Sequence, residues 1–593
     1  MSTRTAMKLE DLGLIGNCQF AALIHASGDV AWCCWPRFDS EPVFGSLLDP
    51  QGGRFSVGAA DDSIGRQQYL DNTNVLETIF EAPGGRVRVL DFAPRFEQHG
   101  RIYRPTQLIR IVEPISGSPQ IHVRCEPVLG WSKVRSTVTS GSHHFKFAGH
   151  AAELRLTTDL PLSYLDGRAF SLPGRHYLAL TWGEPIEDTL PAYCEDALQR
   201  TTRHWRHWVK HCDIPPQYQR EVIRSALALK LHCFEDTGAI VAAITTSVPE
   251  APGSQRNWDY RYCWLRDAYY VVDAFRLVGH FEEREAFVAY VLNTASRSPD
   301  LNLCPLYTVS GDGDIPERIE TGWAGFNGDG PVRVGNEAAS QVQHDVFGEL
   351  VLALAPIFHD ERFKAERTPA TLEFIFRVTE RAIAVSGLPD RGIWEFRKDP
   401  TPQTFSNLMC WAAVDRAAAI AAAHAPARAD ALRAAADKQR QAIADRAWNE
   451  ARGSYVGSYD GDNLDASLLQ MAPLRLFPRD DARLRQTVEA IWHGLNHNGW
   501  LMRYRENDGL GETTVAFVMC TFWLIEALVL IGRYDDARAL MDRTCGILSP
   551  LGLIAEDFDM VAGRMSGNFP QAYSHVGLIR AAFAASPRWR DVL

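Results

Sequence analysis

The 593-residue sequence contains few features of a secreted, membrane-spanning or metal-binding chain. Its first twenty residues, MSTRTAMKLEDLGLIGNCQF, have no long apolar run, which argues against an ordinary secretory leader. No later stretch is long enough and sufficiently free of charge to suggest a membrane helix. The twelve cysteines are scattered without a C-x-x-C pair, so we expect reduced thiols, no metal site and a cytoplasmic location.

A positive charge surplus is also absent. The net charge is −12, which argues against a broad nucleic-acid surface, and we find no short repeat and no low-complexity tail. The chain is too long for one ordinary core, and its sixteen tryptophans favour a ligand that stacks on aromatic rings. We therefore expect two or more domains, with no nucleic-acid or membrane partner and no cofactor; the oligomeric state stays open.

The sequence pattern changes once along the chain, from alternating segments typical of strands to segments typical of helices. Residues 1–190 contain short alternating segments such as TNVLETIFEAPGGRVRVLDFAPRF, which predict an antiparallel β-sandwich. Residues 191–215 predict a helical linker, and helical patterns continue through residues 216–593 between loops rich in Gly, Pro, Asp and Trp. The Ala-rich run at 412–436 predicts a helix that breaks near Pro426.

Residues 257–275, NWDYRYCWLRDAYYVVDAF, combine aromatic side chains with Arg261, Arg266 and the carboxylates Asp259 and Asp267. Aromatic faces and bidentate hydrogen-bonding groups suit a sugar ring, which has apolar faces and a rim of hydroxyls. The alternative is a Trp- and Tyr-rich helix whose arginines pair locally with acids.

Two glutamates in the later loops are candidate catalytic groups. Glu395 follows Trp394 in GIWEF, and a carboxyl beside large aromatics has a raised pKa, as a general acid requires. Glu556 lies in LIAEDFD, where we expect a polar neighbourhood that keeps it ionised and able to activate water. Such a pair forms the working parts of a glycosidase.

Several segments together resemble glycoside hydrolase family 15, the glucoamylase and trehalase family. They include IGNCQFAALIHASGDVAWCCWPRFDSEPVFGSLLD, RNWDYRYCWLRDA, PVRVGNEAASQVQHDVFGE, GIWEFR, CTFWLIEAL and EDFDMVAGRMSGNFPQAYSHVGLI. The resemblance spans the chain and is specific as a combination. It implies an N-terminal β-sandwich, a linker and a C-terminal (α/α)6 barrel with the active site in a pocket.

By this resemblance, Glu395 matches the general acid and Glu556 the general base. Arg266 and Asp267, within WLRD, match the pair that grips the terminal glucose. One departure follows the base, where this chain reads DFDMVAG and many relatives read Gln, an aromatic, Asp and Pro. That departure leaves the catalytic pair intact.

Three aromatic residues complete the predicted substrate pocket. Trp264 and Trp394 match pocket aromatics of the family, and Trp323, in the loop GWAGFNGDGPVRVGNEAA, is expected to contact the substrate as well. The small-molecule partner predicted from these residues is an α-glucoside.

The sequence thus predicts an inverting exo-acting α-glucosidase that releases β-glucose from oligosaccharides or trehalose, with a dedicated trehalase as one alternative. A phosphorylase, in which phosphate replaces water, is a further alternative, and Glu556 argues against it. An inactive sugar-binding protein is the last, and the intact glutamate pair argues against that.

Overall fold

The computed structural model describes residues 6–298, 300–511 and 513–593, which form a β-rich N-terminal part followed by helices. Residues 1–5 of the predicted sandwich, Pro299 and Glu512 lie outside the described residues. The change from strands to helices falls at Leu190, where the first long helix begins. The exact domain boundaries of 1–190, 191–215 and 216–593 stay a prediction.

The N-terminal part consists of antiparallel strands. They are β1 (Leu12–Gly16), β2 (Ala21–His25), β3 (Val30–Cys34), β4 (Pro42–Phe44), β5 (Arg54–Ala59), β6 (Arg66–Tyr69), β7 (Leu76–Ala82), β8 (Gly85–Phe92), β9 (Phe96–Gln98), β10 (Arg101–Tyr103), β11 (Gln107–Gly117), β12 (Gln120–Glu126), β13 (Thr137–Ser140), β14 (His144–Ala148), β15 (Leu154–Thr158), β16 (Phe170–Ser171) and β17 (His176–Trp182). An eight-stranded sheet has the order β13-β14-β15-β17-β11-β8-β7-β6. The sheets β1-β2-β3-β4 and β16-β12-β5 pack against it through β1, β5 and β7, which makes a sandwich.

The hairpin of β7 and β8 shows why these residues form strands. Ala82 pairs with Gly85 across the Pro-Gly-Gly turn that the sequence predicts, and Gly84 has a φ of 85° that favours glycine. Both strands alternate between buried and more exposed side chains over part of their length, so one face of the sheet joins the core.

The C-terminal part is helical. Its elements are α1 (Leu190–Lys210), α2 (Gln219–Lys230), α3 (Leu265–Leu277), α4 (Glu282–Ala295), α5 (Val346–Leu354), α6 (Pro369–Val385), α7 (Thr404–His424), α8 (Pro426–Arg446), α9 (Met471–Leu474), α10 (Ala482–Leu495), α11 (Val518–Leu530), α12 (Tyr534–Cys545), α13 (Ala572–Ala585) and α14 (Trp589–Val592). A 3-10 helix, Ala466–Gln470, runs directly into α9. The break between α7 and α8 at Pro426 is the predicted one.

Six helices close into an inner ring. In order around the ring, α3 packs on α5, α5 on α7, α7 on residues 466–474, these on α11, α11 on α13, and α13 on α3. The alternate helices α2, α4, α6, α8, α10 and α12 lie outside, as an (α/α)6 barrel requires. Inner α11 is buried on nearly every side, whereas outer α8 buries only Ala436, Gln439 and Ile443.

Short strands line the loops between the helices. They are β18 (Cys233–Phe234), β19 (Ala239–Ile240), β20 (Cys263–Trp264), β21 (Leu306–Tyr307), β22 (Arg318–Ile319), β23 (Arg333–Val334), β24 (Trp448–Asn449), β25 (Ser454–Tyr455), β26 (Asn496–His497), β27 (Trp500–Leu501), β28 (Ala516–Phe517), β29 (Asp557–Asp559) and β30 (Arg564–Ser566). Within the described ranges, the helices are all too short or too polar to cross a membrane.

Candidate active site

A pocket of about 850 Å³, including its open mouth, lies at one end of the barrel. Its walls come from segments that precede or begin the inner helices, so they converge when the ring closes. The lining residues are Ala242, Glu250, Arg256, Trp258, Tyr260, Trp264, Arg266, Asp267, Asn336, Ala338, Gln341, Ile393, Trp394, Glu395, Arg397, Arg503, Tyr504, Asp508, Leu510, Phe517, Gln571 and Tyr573. Five of the residues predicted for the site are among them.

Glu395 lies in the loop before α7 and is held by two donors. The indole Nε1 of Trp264 donates to Glu395 Oε1 at 2.7 Å, and Nη2 of Arg266 donates to the same oxygen at 3.1 Å. Because both bonds go to Oε1, Oε2 is the oxygen available to carry a transferable proton. The side chain is 22% exposed and faces the pocket space.

The backbone of Glu395 adopts an uncommon conformation. Its φ of 58° lies in the left-handed region, which costs about 1–2 kcal/mol for a residue with a side chain. Glycine would satisfy this turn more easily, so a glutamate here indicates that the side chain serves the site and not the fold.

Arg266 and Asp267 lie in the first turn of α3 and line the pocket. Besides Glu395, Arg266 donates to Gln343 Oε1 at 3.1 Å and to Asp345 Oδ2 at 3.5 Å, so its guanidinium is fixed. Burial raises the pKa of Asp267 to about 7, although neighbouring Arg266 lowers it. These groups present a fixed cation and a carboxyl to a ligand in the pocket.

The two other tryptophans predicted for the site lie in different places. Trp394 lines the pocket, and its Nε1 is 3.0 Å from both carboxylate oxygens of Asp465, which fixes the ring. Trp323 instead packs against the N-terminal sandwich, where its Nε1 donates to the carbonyl of Trp131 at 2.8 Å. Its loop reaches across to the sandwich, so Trp323 fills the interface between the two parts and does not line the pocket.

Glu556 is fully buried behind the pocket wall. The hydroxyl of Tyr260 donates to its Oε1 at 2.8 Å, and the backbone N–H of Asn568 donates to Oε2 at 3.2 Å. Burial raises the pKa of Glu556, the carboxylate of Glu250 adds to the rise, and Arg503 opposes it. The polar neighbours expected from the sequence are present, but they lie in a desolvated site, so burial opposes the ionised form of Glu556 that the sequence analysis expects.

Two aromatic rings connect the candidate acid to the candidate base. Tyr260, which binds Glu556, and Trp264, which binds Glu395, meet edge to face with ring centroids 5.3 Å apart. Each carboxyl thus binds a different ring of one aromatic pair, at the same end of the barrel. This arrangement can hold one carboxyl as a proton donor and the other as a proton acceptor around one bound ligand.

Sequence reasoning missed a set of charged residues on the pocket wall. Glu250 accepts a bond from Trp258 Nε1 at 2.9 Å and forms an ion pair with Arg503. Arg256 binds Asp508 through two bonds of 2.6 and 2.7 Å. The only signal was the position of Arg503 and Asp508 in a Gly-, Trp- and acid-rich loop, which did not distinguish them from other charged loop residues.

The first charged pair of the 257–275 segment has a structural role. Arg261 and Asp259 are both fully buried and bind each other at 2.7 and 2.9 Å. Arg261 also donates to the carbonyl of Ser40 at 2.7 Å, which ties the barrel to the sandwich. Arg261 and Asp259 therefore pair with each other, as the alternative interpretation of this segment predicts, whereas Arg266 and Asp267 face the pocket.

Known proteins share both parts of this architecture. Residues 216–583 match the model of the glycosyl hydrolases family 15, and residues 1–159 match the trehalase-like N-terminal model. The trehalase of Mycolicibacterium smegmatis is 33% identical over 97% of this chain and 90% of its own length. The trehalase of Thermoplasma acidophilum is 34% identical over 94% of this chain and 97% of its own length.

A bacterial glucoamylase, solved in complex with acarbose, has the same fold. It superposes with a TM-score of 0.68 over 98% of this chain and 94% of its own, at 13% identity. The barrel, its pocket and these matches define a glycoside hydrolase. The chain belongs to glycosyl hydrolases family 15 and carries the trehalase-like N-terminal domain.

Proposed function

We propose that this protein is an inverting, exo-acting α-glucosidase whose substrate is trehalose. The observation that carries the proposal is the run of contacts that links Glu395 to Glu556 through Trp264 and Tyr260 at one end of the barrel. Relatives named trehalase, similar over nearly the whole chain, support trehalose as the substrate. A cytoplasmic location stays a prediction from the sequence.

The reaction needs one proton donor and one proton acceptor. Glu395 would pass the proton on Oε2 to the oxygen between the two glucose units as that oxygen leaves the anomeric carbon. Glu556 would take a proton from a water that binds beside Tyr260 and attacks the same carbon from the opposite face. A bond to the water oxygen forms, the glycosidic bond breaks, and the attacked glucose leaves as the β anomer.

The other pocket groups would orient the terminal glucose. Arg266 and Asp267 provide charged hydrogen-bonding groups for its hydroxyls, and Trp264 and Trp394 provide ring surface. The Arg266 guanidinium is fixed by Gln343 and Asp345 before substrate binds, so little conformational entropy is lost on binding. These roles explain why residues 257–275 combine aromatic rings with charged side chains.

A phosphorylase reaction is the second candidate, and the charge of the site disfavours it. Phosphate needs no general base, and a phosphate beside Glu556 would also lie beside the buried acid Glu250. Arg503 bonds to this group of acids, through Glu250, and it is the one cation among the described residues that does so. Water is the nucleophile that such a site accepts more readily.

The test is an assay of trehalose, maltose and isomaltose, with and without inorganic phosphate. We expect glucose release to be fastest from trehalose and independent of phosphate, and about 10²–10⁴-fold slower in Glu556→Gln. Proton NMR during early turnover should show one β-glucose and one α-glucose for each trehalose, because only the attacked sugar inverts. Two α-glucose molecules would overturn inversion, and sugar phosphate as the product would overturn hydrolysis.

A further inference from the structure

Three carboxyl groups cluster at the base position. Glu250, Glu556 and Asp557 are all buried, and each contributes an oxygen that lies within 4.8 Å of the other two. Gly567 makes room for this approach, because a Cβ there would lie 2.8 Å from Glu556 Oε2 and 3.0 Å from Asp557 Oδ2. The chain therefore accommodates a close approach of like groups that repel one another when ionised.

The three carboxyls differ in their partners. Glu250 is bound by Trp258 and Arg503, and Glu556 by Tyr260 and Asn568. Asp557 is fully buried, and neither of its carboxylate oxygens has a hydrogen-bond partner among the residues that the structure describes. A buried carboxylate without donors is strongly destabilised relative to its neutral form.

The arginines near Asp557 are bonded to other carboxylates. The charged groups that act on it are Glu556, Glu250, Arg503 and Arg256. Arg503 is paired with Glu250, and Arg256 is paired with Asp508. Two carboxyls, Glu556 and Asp557, thus share a buried site that supplies donors to only one of them.

Given the proposed role of Glu556 as the general base, we propose that Asp557 is a positioning residue that keeps a proton at neutral pH, so that the buried negative charge stays on Glu556. Burial and the two neighbouring glutamates raise the pKa of Asp557 well above its usual value, which agrees with this geometry. A bound divalent cation bridging the three carboxylates is the competing occupant of the cluster, because hard cations prefer oxygen ligands.

The first test uses thermal stability and does not depend on activity. Asp557→Asn keeps the size of the side chain and removes its ability to ionise. A carboxyl with a raised pKa in the folded state destabilises that state increasingly as pH rises above the unfolded pKa, near 3.8. We therefore expect Asp557→Asn to melt at a higher temperature than wild type at pH 7–8, with the difference closing toward pH 4.

Asp559→Asn is the matched control, two residues along β29. Asp559 accepts bonds from the backbone N–H groups of Val561 and Ala562, and an asparagine oxygen can still accept them. This variant should show no gain that grows with pH. If Asp557→Asn does not fold, Asp557→Ser provides the same comparison with a smaller uncharged side chain.

The second test measures the pH profile of kcat/KM on trehalose. If Asp557 is neutral in wild type, Asp557→Asn should leave the acid side of the kcat/KM profile in place. If Asp557 is ionised, its removal takes a negative charge from beside Glu556 and moves the acid side to lower pH. That shift would overturn the proposal.

A cation in the cluster would give a different set of results. Asp557→Asn would then melt lower than wild type at pH 7, and treatment of wild type with EDTA would lower its melting temperature as well. Either result overturns the proton assignment. Failure of the enzyme to hydrolyse any glucoside would overturn the proposed function, whereas the melting comparison would still decide the state of Asp557.

Discussion

Removal of the Tyr260 hydroxyl is the most direct test of Glu556 as the general base. This hydroxyl donates to Glu556 Oε1 at 2.8 Å, and this bond is among the factors that lower the pKa of Glu556 against the effect of burial. Tyr260→Phe removes the hydroxyl and keeps the ring that contacts Trp264. The ionised form of Glu556 then loses one donor, while its protonated form loses little.

The size of the expected pKa shift follows from the strength of the hydrogen bond between Tyr260 and Glu556. A hydrogen bond to a charged group contributes about 1.5–3 kcal/mol, and one pKa unit corresponds to about 1.4 kcal/mol. The pKa of Glu556 should therefore rise by about 1–2 units in Tyr260→Phe. The base is active when ionised, so activity is lost as pH falls through this pKa. The acid side of the kcat/KM profile should move to higher pH by the same amount.

The assay is kcat/KM on trehalose from pH 4 to pH 9. Well below the shifted pKa the variant should be about 10–100-fold slower than wild type, and the two should approach each other at alkaline pH. Tyr262→Phe, two residues away, is the control and should leave the profile in place. An equal loss at every pH would refute this reasoning and indicate that the Tyr260 hydroxyl itself passes the proton.

Three further predictions concern the remaining groups. Glu395→Gln and Glu556→Gln should each lower kcat on trehalose by about 10²–10⁴-fold with an unchanged circular dichroism spectrum, because each loses a proton-transfer group; near-normal turnover would remove that residue from the mechanism. Arg266→Lys should lower kcat/KM, with a loss of about 1.5–3 kcal/mol in transition-state stabilisation, because an ammonium cannot replace the fixed guanidinium fork; an unchanged kcat/KM would contradict this role. Glu395→Gly should exceed Glu395→Ala in urea-unfolding free energy by about 1 kcal/mol, owing to the positive φ, and an equal stability would argue against backbone strain.

The division into a β part and a helical part could be predicted from local patterns. Alternation and the Pro-Gly-Gly turn determined the β7–β8 hairpin, and Pro426 determined the break between α7 and α8. The alternation of side chains and the backbone restriction imposed by proline are local effects, because neither depends on residues far away in the sequence. The resemblance to a known family added the barrel and matched Glu395 and Glu556, already candidates from their surroundings, to the general acid and the general base.

Local patterns could not separate the loops that carry the site from those that do not. Trp323 and Trp394 lie in loops of similar composition, yet one packs on the sandwich and the other lines the pocket. Aromatic and acidic residues suit both an interface and a sugar site. Composition alone therefore could not assign Trp323 to the interface.

The sequence by itself determined which segments are strands and helices and which faces they bury. The tertiary structure alone decided which side chains meet, because closure of the inner helix ring brings together loops from distant parts of the chain. Tyr260 and Glu556 are 296 residues apart and bind each other at 2.8 Å. The periodicity of a sequence shows that a residue is buried, but it does not show which residues lie next to it. The desolvation of Glu556 and its contact with Glu250 and Asp557 are therefore properties of the folded barrel.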